Sequence, residues 1–476
     1  MIKFDLEKNQ RKILFEQVIN KIDSYYSNTK SYPTTPSLEI NHIRDYINTQ
    51  NLQTSVNYKN AINHVLNGLE NYSVHTPHPK YFGLFNPRAN FSGILADLIT
   101  ATYNPQLAAW SHAPFAVEVE AKLIKEFGEK FGYKSETIDG VFTTGGAEAN
   151  LSALLCALNH SFPEFAKNGV FGISKRPIIY CSEQAHHSIH KAAKTVGLGY
   201  SSVQSISNDE GLKIDLKKLR NQIQEDIASN NFPTMIIGTA GTTGAGTIDD
   251  LVALRTIADE FGLWFHVDAA YGGGAVLNKE IKPNLKGIET SDSITFDAHK
   301  WMSIPMGASI FLTSHNDILS KTFRITTDYM PKEANSLNII EPFSHSIQWS
   351  RRFIGLKVYL SLLFFGWDGY EQIIGHQANM GGLFRKKLLK NNWNIKNETP
   401  LPIICFTDDS IVNNKQFSQK LLDAILKKGK SWLSTYPIGS LNTFRVCITN
   451  YNTSEKELDE LIEELNEQRK LYLNNI

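Results

Sequence analysis

The chain is 476 residues long, enough for two or three domains with substantial cores. Lysine plus arginine and aspartate plus glutamate each number 48, so the formal net charge is zero, which argues against a generic polyanion binder and against nucleic acid as a partner. With 42% hydrophobic and 20% charged residues the composition is that of a soluble globular protein.

The N-terminal stretch "MIKFDLEKNQRKILFEQVINKI" is charged throughout and lacks an apolar signal core. Leu14, Phe15, Val18, Ile19 and Ile22 recur at helical spacing. They predict a helical segment within residues 1–90 that packs on the body or on a partner subunit. Over 91–365 short β-branched runs alternate with helical stretches: "GVFTT" leads through "GG" into "AEANLSALLCALNH", "PIIYCS" into "HHSIHKAAKTVG", and "TMIIGTAGTT" into "DDLVALRTIADEFG". "LWFHVDAA", "SITFDA" and "ASIFLT" follow. The pattern predicts an α/β domain with a mostly parallel central sheet and helices on both faces. The apolar stretch "GLKVYLSLLFFGW" is too short to span a bilayer and carries Lys357, so a soluble, cytoplasmic protein with no membrane contact is expected. Residues 366–476 read as a smaller α+β domain closed by an amphipathic helix, with Thr453 or Ser454 as its N-cap. Cys156, Cys181, Cys405 and Cys447 form no CxxC pair and read as reduced thiols, neither a disulfide framework nor a zinc site.

In such a sheet ligands bind beyond the carboxyl ends of the strands. Thr143–Thr144, His186, Thr242–Thr243, Asp268 and Lys300 are all expected there. Lys300, wedged between His299 and Trp301, reads either as a snorkelling side chain or as a lysine kept for covalent chemistry, since a desolvated amine loses its proton easily. "TTGGAEAN" is a strand–Gly-Gly–helix junction whose free amides make an anion site, and it fits neither a Walker motif nor GxGxxG. Asp268 follows a strongly apolar strand, where a carboxylate is a cap, a buried ion-pair partner or a functional group. Pyridoxal phosphate needs a phosphate cradle, a lysine for its Schiff base and an acid paired with the pyridinium nitrogen, and these residues supply all three, with His186 against the ring. Zinc on His186, His187 and His190 lacks a further ligand at convincing spacing, and there is no HExxH, so no metal is implied.

With these residues assembled, the chain resembles the group II pyridoxal-phosphate-dependent amino-acid decarboxylases, among them the glutamate, cysteine-sulfinate and aromatic-L-amino-acid enzymes. The likeness rests on "HPKYFGLFNP", "TTGGAEANLSALL", "SEQAHHS", "TAGTTGAGTIDD", "HVDAAYGGG", "DAHKW" and "FRVCITN", in the family's order. The resemblance implies the aspartate-aminotransferase-like fold (fold type I) and a homodimer with active sites at the interface, to which the N-terminal helical segment contributes. It implies Lys300 as the Schiff-base lysine, Asp268 as the pyridinium partner and His186 stacked on the ring. Gly145, Gly146 and Ala147 match the phosphate turn, with His299 close to the phosphate and Thr243 and Ala270 near the cofactor. Arg445 matches an arginine near the substrate's α-carboxylate. Tyr329 falls where the family has a mobile-loop tyrosine that protonates the carbanion left by CO2; relatives with phenylalanine there tend to make aldehydes. The chain departs from the family at Asp297–Ala298, where Asn-Pro is usual.

The resemblance also frames the substrate. Leu84 and Phe85 lie in a stretch that lines the family's substrate pocket, and both are apolar, which points to an aromatic or bulky L-amino acid. Against this, Ala108 replaces a bulky aromatic of the aromatic-specific members, and Arg88 is placed to receive an acidic group. The alternatives are decarboxylation of an acidic amino acid (glutamate, aspartate or cysteine sulfinate) or of 2,4-diaminobutyrate, or another fold-type-I activity such as an aldehyde synthase, carbon–carbon lyase or aminotransferase.

Overall fold

The structure is a computed structural model, and it describes residues 4–325, 339–411 and 413–474. Seven strands form the central sheet: β1 (Asp139–Thr143), β2 (Pro177–Ser182), β3 (Val203–Ile206), β4 (Phe232–Thr239), β5 (Trp264–Asp268), β6 (Ser293–Asp297) and β7 (Ser309–Thr313). Their order is β1-β7-β6-β5-β4-β2-β3. β7 runs antiparallel to both neighbours, and the pairings among β6, β5, β4, β2 and β3 are parallel.

Period-2 alternation explains why the strands read as unbroken apolar runs. Ile178 and Tyr180 of β2 enter the core on one face of the sheet, while Ile179 and Cys181 enter the core on the other. Helices cover both faces, so neither set of side chains needs to be polar. On one side lie Pro114–Phe131, Leu216–Ala228 and Leu251–Phe261; on the other lie Gly146–Ser161 and Ser188–Thr195.

The smaller domain holds an antiparallel sheet of order β10-β11-β9-β8, with β8 (Asn394–Ile395), β9 (Ile403–Thr407), β10 (Ser434–Ile438) and β11 (Leu441–Cys447). Its own core gathers Trp393, Phe406, Phe417, Phe444 and Leu461. The closing helix Glu455–Leu473 is capped by Ser454, whose N–H donates to Glu457 Oε2 at 2.9 Å in a capping box. The two domains are joined by one long helix, Gly355–Lys390, broken only at Gly366 (φ 61°, ψ −179°). Gly366 takes a positive φ that glycine adopts readily.

The N-terminal helices Lys8–Asn28, Ile40–Asn48 and Tyr58–Tyr72 contain no buried residue. Phe15 and Ile19 of the expected stripe are each 52% exposed, so the body of the subunit does not cover it. Among the described residues no helix is long and apolar enough to cross a membrane.

Candidate active site

β1, β2, β4, β5 and β6 end on the same edge of the sheet, and their last residues and following loops enclose a cavity of about 220 Å³. Its wall contains Gly146, Ala147, His186, Thr243, Asp268, Ala270 and Lys300, residues scattered over more than 150 positions of sequence. Asn150, Thr239, Gly241, Tyr271 and Asp297 complete the wall.

At one end the Gly146–Ser161 helix begins on the cavity. Its internal hydrogen bonding starts with Glu148 and Ala149, whose N–H groups donate to Gly145 O at 3.0 and 3.2 Å. The first-turn amides of Gly146 and Ala147 therefore have no partner within the helix, and an anion there also meets the positive end of the helix dipole. A Cβ on Gly146 would lie 3.0 Å from Asp297 Oδ2, a tight contact; at Gly145 no described residue stands within 4 Å of such an atom.

Lys300 does not snorkel to the outside. Its Nζ lies 2.9 Å from Asp297 Oδ2, inside the cavity wall. Trp301, its neighbour, is fully buried and stacks on Tyr271. Asp297 is held by Lys300 and by the Ser309 hydroxyl, and His299 Nε2 lies 3.7 Å away. Burial opposes its ionisation, but Lys300, His299 and the Ser309 hydrogen bond outweigh that and hold its pKa below the usual carboxylate range. His299 is not itself part of the cavity wall, and its Nδ1 donates to Ala308 O at 2.9 Å.

Asp268, at the end of β5, is 6% exposed and accepts from Asn150 Nδ2 at 2.9 Å and from the Ala270 amide at 3.1 Å. His186 presents a ring still open to solvent, with Nδ1 accepting from the Ser188 amide at 3.2 Å. Desolvation lowers its pKa, Asp268 opposes that, and Lys300 adds to it.

On the side of the smaller domain, Phe85 stacks on Tyr271 with ring centroids 4.1 Å apart. Lys300 Nζ lies 5.6 Å and the Arg445 guanidinium 5.1 Å from the Phe85 ring centre. Arg445 is buried; Nε donates to Gly244 O at 3.0 Å and Nη1 to Gly83 O at 3.3 Å, but Nη2 has no hydrogen-bond partner among the described residues. A buried guanidinium with one idle donor suits a ligand carboxylate. Leu84, Phe85 and Arg445 are all absent from the cavity wall; Phe85 reaches it through Tyr271, and Leu84 is 53% exposed. Arg88 is turned away: it stacks on Tyr26 at 3.6 Å and donates to Tyr26 O at 2.6 Å. Tyr329 lies outside the described residues.

Pyridoxal phosphate fits this donor set. First-turn amides for its phosphate, a carboxylate for its ring nitrogen and a lysine for its aldehyde line one cavity, and the Gly146 position leaves little room for a side chain. Asn150 shares the run "AEANLSALL" with Glu148 and Ser152, so its polarity alone did not mark it, and Tyr271 carried no signal either.

Residues 42–408 match the family model described as the pyridoxal-dependent decarboxylase conserved domain. The chain is 28% identical over 464 residues to an aromatic-L-amino-acid decarboxylase of Bacillus atrophaeus, covering 95% of this chain and 94% of that one. It is 26% identical over 468 residues to a phenylacetaldehyde synthase of a Rosa hybrid cultivar, covering 93% and 90%. The crystal structure of Oryza sativa TDC with PLP and tryptamine shares the fold, with a TM-score of 0.93 at 20% identity over 99% of this chain and 100% of that one.

Proposed function

This chain belongs to the pyridoxal-dependent decarboxylase family, and we propose that it removes the α-carboxylate of an aromatic or otherwise bulky L-amino acid as CO2, leaving the amine. The observation that carries the reading is the convergence of Lys300, Asp268 and the Gly146–Ala147 amides on one cavity. When bound, pyridoxal phosphate supplies an electron-accepting ring that takes up the electron pair freed as the carboxylate departs. The chain's own residues do the rest. Gly146 and Ala147 bind the phosphate through their amides. Asp268 would keep a proton on the ring nitrogen, His186 would pack against the ring, and Lys300 would hold the cofactor through its amine. Arg445 offers Nη2 to the substrate carboxylate and so orients the bond to be broken.

Two observations favour a bulky apolar side chain over an acidic one. Phe85 forms an aromatic wall beside Lys300, and Arg88, the group that would have received an acidic side chain, is committed to Tyr26. Tyr329 is assigned the proton delivered to Cα, on its position in "FRITTDYMP". The second reading, an aldehyde-forming enzyme, is favoured by the similarity to phenylacetaldehyde synthase and opposed by a tyrosine at 329.

The protein is further read as a cytoplasmic homodimer with its sites at the interface. Three N-terminal helices without a buried residue, and Leu84 left exposed beside Phe85, support a partner subunit covering them. Four free, buried cysteines support a reducing compartment. The deciding experiment is incubation of the purified protein with each L-amino acid while CO2, amine, aldehyde and keto acid are followed. CO2 and amine in equal amounts from an aromatic substrate support the reading; keto acid without CO2 rejects it.

A further inference from the structure

Asp268 is the last member of a buried hydrogen-bonded row. Asn150, on the second turn of the Gly146–Ser161 helix, stands between it and His266, two residues back on β5. Beyond His266 lie Ser293 on β6 and Trp264 on β5. None of these side chains is more than 6% exposed, so bulk water does not set their orientation.

The chemistry of the end groups fixes the direction of every bond. An indole N–H can only donate, so Ser293 Oγ accepts from Trp264 Nε1 at 2.9 Å. At the other end a carboxylate only accepts, so Asn150 turns Nδ2 to Asp268 Oδ2 at 2.9 Å and its carbonyl oxygen the opposite way. That oxygen accepts from Thr295 Oγ1 at 2.7 Å and faces His266 Nε2 at 3.1 Å. Nε2 must therefore carry the hydrogen, and Nδ1 accepts from the Ser293 hydroxyl at 2.8 Å. Burial pushes the pKa of His266 down to about 4, so the ring is neutral and has a single N–H to place. The result is one polarity along the row: Trp264 to Ser293 to His266 to Asn150 to Asp268. Asn150 Nδ2 is also anchored to Ser188 Oγ at 2.9 Å, which resists rotation of the amide.

We propose that Asn150 and His266 are positioning residues for the ring-nitrogen partner: the row they form points its donors at Asp268 and keeps the remaining lone pairs of that carboxylate turned into the cavity. Asp268 accepts one bond at each oxygen from the protein, Asn150 at Oδ2 and Ala270 at Oδ1, and a carboxylate has lone pairs to spare for a third donor. Without His266 behind it, the Asn150 amide loses one of the groups that decide which end faces Asp268. With the amide reversed, an oxygen would meet an oxygen, and the charge on Asp268 would be opposed where it is now supported. This inference rests on the pyridoxal-phosphate reading of the cavity.

The test compares two cofactors on cofactor-free protein: pyridoxal phosphate and its 1-deaza analogue, in which the ring nitrogen is a carbon. Binding is read by titration and by the borohydride-fixed adduct on Lys300, without any turnover. The parent should prefer pyridoxal phosphate; a parent that forms no Lys300 adduct rejects the cofactor reading itself, and one that binds both ligands equally rejects the role of Asp268. Asn150→Leu should weaken pyridoxal phosphate at least ten-fold while changing the analogue less than two-fold. His266→Leu should lose part of the preference, and His266→Gln, which can donate to Asn150 in the same way, should restore it. These two variants decide the matter if Asn150→Leu does not fold. Equal losses for both cofactors, or no recovery in His266→Gln, would show that the row only fills space and would overturn the proposal.

Discussion

The Lys300–Asp297 pair offers a measurement that needs neither cofactor nor substrate. Nζ and Oδ2 are 2.9 Å apart, with Asp297 2% and Lys300 22% exposed at the side chain. Two unit charges at that separation attract by about 6 kcal/mol at an effective dielectric constant of about 20, before any desolvation cost. Burying Asp297 cancels much of that, and breaking a fully buried pair costs about 3–5 kcal/mol. Lys300 retains some water, so a coupling of about 2 kcal/mol is expected, below the fully buried range. The assay is a double-mutant cycle on the cofactor-free protein, with Asp297→Asn, Lys300→Met and the double variant compared by urea unfolding. The pH dependence has a definite sign. The folded pKa of Asp297 lies below its ordinary value of 3.8, so its contribution is complete above that value and disappears as pH falls through the lowered folded pKa. A coupling under about 0.3 kcal/mol at neutral pH, the size ordinary for independent sites, would refute the ion-pair account of Asp297.

Asp268→Asn keeps the shape but removes the charge facing the ring nitrogen; losing about 3–4 kcal/mol of electrostatic stabilisation should slow the chemical step by roughly 10²–10³ in single-turnover measurements. Arg445→Met removes a charged hydrogen bond of about 1.5–3 kcal/mol, so kcat/KM for decarboxylation should fall about 10- to 150-fold, read from CO2 release, while the spectrum of the loaded protein stays unchanged. Tyr329→Phe should still release CO2 but yield less amine, with aldehyde, ammonia and peroxide appearing in the product assay; parent-level amine with no aldehyde would remove Tyr329 as the proton donor.

What could be read from the sequence followed from local rules. Strands such as "PIIYCS" are apolar at every position because helices cover both faces, and that composition marks β2 without any coordinates. Lys300, Asp268 and Gly146 could be placed together because strand ends in such a sheet share an edge. What was not legible depends on distance along the chain. Nothing near Phe85 announces that it meets Tyr271 and Arg445, which lie 186 and 360 positions later. Neighbouring residues in an irregular segment also diverge: Leu84 points outward while Phe85 is buried, although both looked equally suited to a pocket. Helical periodicity at Phe15 and Ile19 identified an apolar face but not what covers it. Asp297, visible as a departure from the family pattern, acquires meaning only through its contacts with Lys300, His299 and Ser309.

Reduction of the pyridoxal-phosphate-loaded protein with borohydride, followed by digestion and peptide mapping, tests the central claim most directly. The account predicts one modified residue, Lys300, with the yellow absorption lost in proportion to the adduct formed. An adduct on any other lysine, or no adduct in protein that contains the cofactor, would contradict it.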